Sequence, residues 1–508
     1  MMNRFTVSEM FSNHMVLTHD RKNPVWGTAP AGEEITVELG QARSACIADD
    51  NGCWMTGIDT PAPGVASTLT IRCGEECISF DDVVSGEVWL AGGQSNMEMP
   101  VMCVNGGREL VEAETYPNVR MKTISRRADS FRQYGWHFYP MDGSDSDWKL
   151  PDRDSVARFS AIGYQFAALL SKSLNMPVGI IDCNWGGTKI QSWMPLDVLQ
   201  QHEDTRAELD CYAAMQCALG DEAQSKFDRF QASIRDMGVD MDDFIAHSLR
   251  EPTYHCTREP KLVDNAPGGI GDPNKPGCLF EHMLSRVIPF GVKGVLWYQG
   301  ESNAGVSEAR NYASLFERMR TSWHEAWQDS TIPFLTCQLA TFEMPAAWGA
   351  TDWNTLRLQQ AECTKLPGVS MAVLMDIGNR TDIHPLDKIP VAERLHALAM
   401  EDVYGVPCNA HEPAPLCCES DGNAILIRFD RPIELREGEL PEAIAKDGVS
   451  PCSAELLDEY TLRLTPQAAA NAIQYAAAGW FIPSLFGKNG LPVAPFRLCA
   501  AAQSAAIH

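Results

Sequence analysis

Residues Val88 to Pro100 read VWLAGGQSNMEMP and place a serine just past the end of an apolar run. Val88-Trp89-Leu90-Ala91 has the pattern of a short buried strand, broken at Gly92-Gly93 and followed at once by Gln94, Ser95 and Asn96. A strand ending in a glycine turn can expose a serine hydroxyl at the carboxyl edge of a sheet, where open parallel α/β sheets bind their ligands. The glycine pair also keeps Cβ atoms away from backbone that a substrate must approach. The competing reading is a helix cap, because Ser and Asn commonly satisfy the first backbone N–H groups of a following helix.

A nucleophilic serine needs a base, a group that orients the base, and donors for the oxyanion. His384 lies in Arg380-Thr381-Asp382-Ile383-His384-Pro385, with the Asp382 carboxylate two residues before it. It is the one histidine of the 12 that sits in a strand-end loop with an acid so near, whereas His282, His324 and His396 read as helix or surface residues. The chain order Ser…Asp…His is also that of known hydrolases. Candidate oxyanion donors are the backbone N–H of Ser95, Gly187 in the Trp185-Gly186-Gly187-Thr188 turn, and a side-chain amide of Gln299 or Asn303. A plain tight turn and a second helix cap compete with those readings. Gln94, Asn96, Trp185 and Glu301 flank the clusters as candidate substrate-binding residues. Gly93-Gln94-Ser95-Asn96 and Gly300-Glu301-Ser302-Asn303 are near twins, so residue chemistry alone leaves the nucleophile open between Ser95 and Ser302.

The elements that must position these groups alternate between strand and helix from about 84 to 405, the signature of βα units around a parallel sheet. Strands are expected at Val88–Ala91, Val119–Lys122, Val178–Asp182, Gly294–Tyr298, Phe334–Gln338 and Val369–Asp376. Helices are expected at Ser160–Leu174, Glu308–Trp327, Asn354–Lys365 and Pro390–Tyr404. Four polar clusters, at 92–96, 185–188, 299–303 and 376–384, fall at strand ends and would converge on one sheet edge. Residues 1–83 read as an N-terminal β domain, with alternating strands Ile35–Leu39 and Leu69–Arg72 between Pro/Gly turns. Residues 406–508 read as a second β region, with strands at Ala424–Phe429 and Thr461–Leu464, which could pack with the first. Between 197 and 280 the rhythm is lost. Helical acidic stretches at Ala207–Phe230 and Ile234–His247 lead into a Pro/Gly-rich loop at Asn265–Pro276, as an insertion of undetermined fold.

Forty-one basic residues against 67 acidic ones give a formal charge of −26, which disfavours nucleic acid and anionic membranes as partners. A local Arg or Lys can still invert the field in one pocket. No apolar stretch has the length of a signal-peptide core or a membrane span. The 17 cysteines show no metal-ligand spacing and read as thiols, so a reducing cytoplasm is the expected compartment.

The four clusters together resemble the SGNH-type esterases, and most closely the sialate O-acetylesterase family. The matching text is GEVWLAGGQSNMEMP (86–100), NWGGTKIQSW (184–193), VLWYQGESNA (295–304) and DIHPLDK (382–388). The resemblance implies an SGNH-hydrolase-like (flavodoxin-like) parallel sheet flanked by helices, with β-sandwich-like regions at both ends of the chain. It implies Ser95 as nucleophile, Gly187 as a backbone donor, Asn303 or Gln299 as the amide donor, and His384 as base. Two positions depart from the expected patterns. Met97 stands where the Gly-x-Ser-x-Gly elbow has its second glycine, and the acid-to-histidine spacing is one residue shorter than Asp-x-x-His. Asp382 is the expected orienting acid, with Asp376 or a backbone carbonyl as alternatives.

The activity so implied is hydrolysis of O-acetyl esters on a sugar through a serine acetyl-enzyme, with no metal or cofactor. The expected partner is an O-acetylated sialic acid, or an acetylated xylan- or mannan-type oligosaccharide; the oligomeric state is open, a homodimer included. Lys189 and Arg158 are candidates to meet a sialate carboxylate. Trp185, Trp193, Trp297 and Tyr298 could stack on sugar faces or fill the core. From other classes, a non-catalytic carbohydrate-binding protein and a lipase-like or thioester hydrolase remain as rivals.

Overall fold

A computed structural model describes residues 4–113, 118–128, 131–132, 147–218, 225, 228–229, 232, 246–251, 272–345, 349–446 and 448–500. The chain divides into two compact units. The first comprises Met1–Gln299, Arg318–Phe334 and Lys388–His396, and the second Gly300–Glu317, Leu335–Asp387 and Ala397–His508.

The first unit is built on one strand of 18 residues, Glu76–Gly93. Its two halves obey different rules. From Glu76 to Asp82 exposure alternates with the strand period, as it pairs antiparallel with Ser67–Cys73 at the head of a meander that continues through Glu34–Leu39 and Ala42–Ile47. From Val83 to Gly93 every residue is buried, the pattern of a strand covered on both faces. Here Val178–Asn184 runs parallel on one side and Gly294–Tyr298 parallel on the other. Val119–Thr123 extends the parallel run beyond Val178–Asn184. The sheet is therefore mixed, not the all-parallel sheet expected, because a single strand carries both pairing schemes. The apolar run at Val88–Ala91 is the middle of it.

The helix Ala161–Leu174 starts where Ser160 caps it, its side chain accepting from the Gly163 N–H, and stops at Asn175 in the left-handed conformation. Its apolar face includes Phe166, whose ring meets that of Trp89 edge-on at 5.0 Å. The helices Leu196–Gln201 and Glu203–Ala218 open the expected insertion. Most of Ala207–Phe230 beyond residue 218, most of Ile234–His247, and 265–271 of the Pro/Gly loop lie outside the described residues.

The second unit holds the helices Val306–Trp327 (in part) and Trp353–Cys363 and the strand Val369–Ala372. It also holds a seven-stranded antiparallel sheet running in the order Pro415–Asp421, Ala424–Phe429, Thr461–Pro466, Gly448–Asp458, Glu442–Ala445, Ala470–Tyr475 and Phe496–Cys499. Ile425, Ile427, Phe429, Leu462, Leu464, Ile473 and Tyr475 point into one apolar cluster with Met371, Val373 and Met375. Among the described residues no helix is long and apolar enough to cross a membrane, and no cluster of His, Cys, Asp and Glu could hold a metal ion.

Candidate active site

In the first unit the buried half of the central strand delivers its chain to Gln94, the residue before a four-residue helix, Ser95–Glu98. Gly93 is required at the hand-over. Its φ is +134°, and a Cβ there would lie 2.1 Å from the Tyr298 carbonyl oxygen, which accepts the Gln94 N–H at 3.0 Å. Ser95 is the first helical residue and not the cap; that position falls to Gln94, whose side chain caps nothing. Between Val88 and Glu98, Ser95 alone is not fully buried. The helix-cap reading therefore fails for this serine, and its side chain is the group the turn presents.

The Trp185–Thr188 turn packs directly against it. A Cβ on Gly186 would lie 3.2 Å from Ser95 Cβ and 2.9 Å from Glu98 Oε2, so glycine at 186 lets this backbone reach the serine. Gly187, in the left-handed conformation with φ +72°, is exposed, and a Cβ there would meet open space.

Beneath the serine lies a buried polar chain that the sequence did not reveal. The Gly186 N–H donates to Glu98 Oε2 at 2.6 Å, and the Arg126 guanidinium pairs with Glu98 Oε1 at 3.1 Å and donates to Asn184 Oδ1 at 3.0 Å. The Asn184 amide donates in turn to Asp182. Both Glu98 and Arg126 have 1% of their side chains exposed. Burial pushes the Glu98 carboxyl up to about 7, against the pull of Arg126 and of the Gly186 N–H, while Asp182 adds to the rise. An acid inside an apolar run was the only local signal, since Arg126 comes from a distant strand end.

Two further expectations change. Gln299 is fully buried, and its amide group donates to Gln94 Oε1 at 3.2 Å and to the Thr188 carbonyl at 3.0 Å. Both amide hydrogens are thus spent on tying the three strand-end turns together, which removes Gln299 as an oxyanion donor. Trp185, Trp193, Trp297 and Tyr298 are all buried, Trp185 with 1% exposed, and Trp297 meets Trp193 and Trp323 edge-on at 6.1 and 5.5 Å. They are core, and the sugar-stacking reading of Trp185 is withdrawn. Gln94 and Asn96 are also buried. Asn96 Oδ1 accepts from the ammonium of Lys388, a buried cation 5.7 Å from the Tyr298 ring centre. Lys189 pairs with Glu208 at 3.8 Å and Arg158 with Asp154 at 3.1 Å, both within this unit.

In the second unit, Glu301, Ser302 and Asn303 form a short 3-10 turn in which Asn303 is buried and the other two are partly exposed. The loop before Lys388 is folded by its own side chains. Asn379 Oδ1 accepts the N–H groups of Thr381 and Asp382, and Asp382 Oδ1 accepts the His384 N–H at 2.8 Å. The same Asp382 oxygen stands 3.8 Å from His384 Nδ1, beyond hydrogen-bond length. Asp382 thus fixes the backbone on which His384 rides. Asp376 is exposed.

Comparison with known proteins gives concordant findings. The family model described as "Carbohydrate esterase, sialic acid-specific acetylesterase" matches residues 85–216 and 221–387. A sialate O-acetylesterase of Rattus norvegicus is 27% identical over 434 residues, covering 79% of this chain and 74% of that protein. The Homo sapiens sialate O-acetylesterase is 26% identical over 433 residues, covering 79% and 71%. The crystal structure of a carbohydrate acetylesterase from Xanthomonas citri superposes with a TM-score of 0.76 at 26% identity, covering 97% of this chain and 99% of that one.

Proposed function

The chain belongs to the carbohydrate esterase, sialic acid-specific acetylesterase family, and from that premise we propose that Ser95 removes O-acetyl groups from a sugar through an acetyl-enzyme. The observation that carries the assignment of Ser95 is its place as the one solvent-reaching residue of a buried turn, with the Gly186 backbone packed against its side chain.

In this reading Ser95 Oγ attacks the acetyl carbonyl carbon and His384 takes the hydroxyl proton. The carbonyl oxygen becomes an oxyanion, held by the N–H groups of Ser95 and Gly187 and the amide of Asn303. Collapse of the tetrahedral species breaks the bond to the sugar oxygen, which leaves with the proton from His384. Water then attacks the acetyl-enzyme by the same path, releasing acetate and restoring Ser95. Asp382 serves by holding the His384 backbone, and Glu98 with Arg126 by holding Gly186 against the serine. The parallel part of the first unit's sheet corresponds in this proposal to an SGNH-type core. O-acetylated sialic acid is the proposed substrate, supported by the family and by the sialate O-acetylesterases among the relatives. A cytoplasmic setting is proposed on the 16 described cysteines, all of them free thiols.

The test is turnover of p-nitrophenyl acetate and of O-acetylated sialic acid by the wild type, Ser95→Ala and Ser302→Ala. Ser95→Ala is expected to abolish acetate release and Ser302→Ala to spare it. The reverse pattern overturns the nucleophile, and an inactive wild type overturns the esterase reading.

A further inference from the structure

The second unit contains a groove of about 640 Å³ lined by Glu343, Asp352, Asn354, Arg380, Glu439 and Trp480, among others. That volume is in the range of small-ligand sites. Two parts of its lining adjoin the segments of this unit that carry proposed chemistry. On one side, the Asp352 N–H donates to the carbonyl of Ala304, the residue after Asn303, at 2.8 Å, and Thr351 bridges Gly305. On the other, Arg380 sits four residues before His384 in the loop folded by Asn379, so their Cα atoms can be no more than about 14 Å apart. A ligand against Arg380 is therefore held by the loop that also carries His384.

The lining has the chemistry of a saccharide site. Trp480 is half-buried and offers part of a ring face. Asn354 Oδ1 is buried yet accepts no hydrogen bond from any described residue, an acceptor available to a hydroxyl group. The acids are already engaged by protein donors. Asp352 accepts from the Thr355 N–H at 3.0 Å, Glu439 from the Ile482 N–H at 3.0 Å, and Glu343 from Arg380 Nε at 2.6 Å. Of these, the Glu343–Arg380 pair is the loosest, with side chains 55% and 61% exposed. Such a pair in water is weak enough to be exchanged for a ligand. Arg380 is also the only cation among the described residues that line the groove.

We infer that this groove seats the sugar whose acetyl group is removed. In it the ring lies on Trp480, a hydroxyl donates to Asn354, and Arg380 binds the sugar's acid group or vicinal oxygens after parting from Glu343. The inference rests on the esterase reading for its chemistry, but the groove can be tested apart from it.

Trp480→Ala and Arg380→Gln are to be compared with wild type on O-acetylated sialic acid, on acetylated xylan oligomers and on p-nitrophenyl acetate, which has no sugar to seat. In Trp480→Ala the ratio of kcat/KM for the sugar ester to that for p-nitrophenyl acetate is expected to fall about tenfold or more, through KM. Arg380→Gln lowers that ratio for the sialate ester alone if the occupant is an acidic sugar, and for both sugar esters if it is a neutral one. Ratios within about twofold of wild type in both variants overturn the groove assignment. Should wild type turn over none of the three esters, the esterase reading fails, and the groove is judged by NMR line broadening of the free sialic acid and xylan oligomers. Broadening by wild type that is lost in Trp480→Ala supports it, and no broadening overturns it.

Discussion

Gly186 donates its N–H to Glu98 Oε2 at 2.6 Å while its Cα hydrogens face Ser95, where a Cβ would come within 3.2 Å of the serine side chain. One buried carboxyl group thus holds the backbone that lies against the candidate nucleophile.

That contact gives the first prediction. Gly186→Ala must push either Glu98 or Ser95 aside, and its kcat on p-nitrophenyl acetate is expected to fall about 100-fold, since a displacement near 1 Å at a reacting group has that effect. Gly93→Ala meets backbone instead, the Tyr298 carbonyl at 2.1 Å. It is expected to cost roughly 2–4 kcal/mol of stability, read by urea unfolding. Loss of stability without loss of turnover in Gly186→Ala would separate this turn from the chemistry.

Glu98 makes stability depend on pH. Its folded pKa lies near 7, above the ordinary 4.5, because of burial. Between those values the folded state keeps a proton that the unfolded chain releases. The contribution is therefore fully present below about 4.5 and is lost as pH rises through about 7, up to about 3 kcal/mol in all. Unfolding free energies of wild type and Glu98→Gln are expected to diverge in their pH slopes between 4.5 and 8, the glutamine variant losing less as pH rises. A steeper loss in the glutamine variant would mean that the carboxylate is ionised in the fold.

Gln299 and Asn303, interchangeable on sequence grounds as amide donors, are expected to part company. Gln299→Leu removes the donor to the Thr188 carbonyl and to Gln94 Oε1 in the core and should cost about 1–3 kcal/mol of stability. Asn303→Ala should lower kcat by about 100- to 1000-fold, the effect of losing one oxyanion donor. Equal losses of turnover at near-equal stability would restore Gln299 as a candidate.

Asp382 is the fourth test. Because its Oδ1 accepts the His384 N–H at 2.8 Å and stands 3.8 Å from the ring, Asp382→Asn keeps the needed acceptor and should retain activity within about tenfold, whereas Asp382→Ala should lose more. A drop of about 10⁴-fold in Asp382→Asn would instead mark a carboxylate that sets the imidazole tautomer.

The sequence was most readable where one local rule acted alone. Gly294–Tyr298 is an unbroken apolar run and forms the strand over the expected residues. Ser160 precedes an apolar-periodic stretch and caps it. The central strand was seen only in part, because Glu76–Asp82 alternates and Val83–Gly93 does not, so no single periodicity spans both. The support of the candidate site was hidden for another reason. Glu98 with Arg126, Gln94 with Gln299, and Asn96 with Lys388, 292 residues apart, are pairs formed by tertiary placement, and nothing in local spacing announces them.

The 18-residue strand also makes the candidate serine intolerant of changes in chain length well away from it. Side chains swap faces at each residue of a strand, and Glu76–Cys77 is locked to the meander by pairing with Cys73 and Arg72 while Asn184 and Tyr298 lock Gly93. The strand already carries one irregularity, where its register with Ser67–Cys73 shifts between Phe80 and Val83 and Asp82 has φ +53°, so a residue inserted there can surface as a bulge. From Glu87 to Gly93 the register against Val178–Asn184 runs unbroken, and one residue inserted or deleted in that stretch would invert the turn, so the phase of Ser95 is set as far back as Glu87.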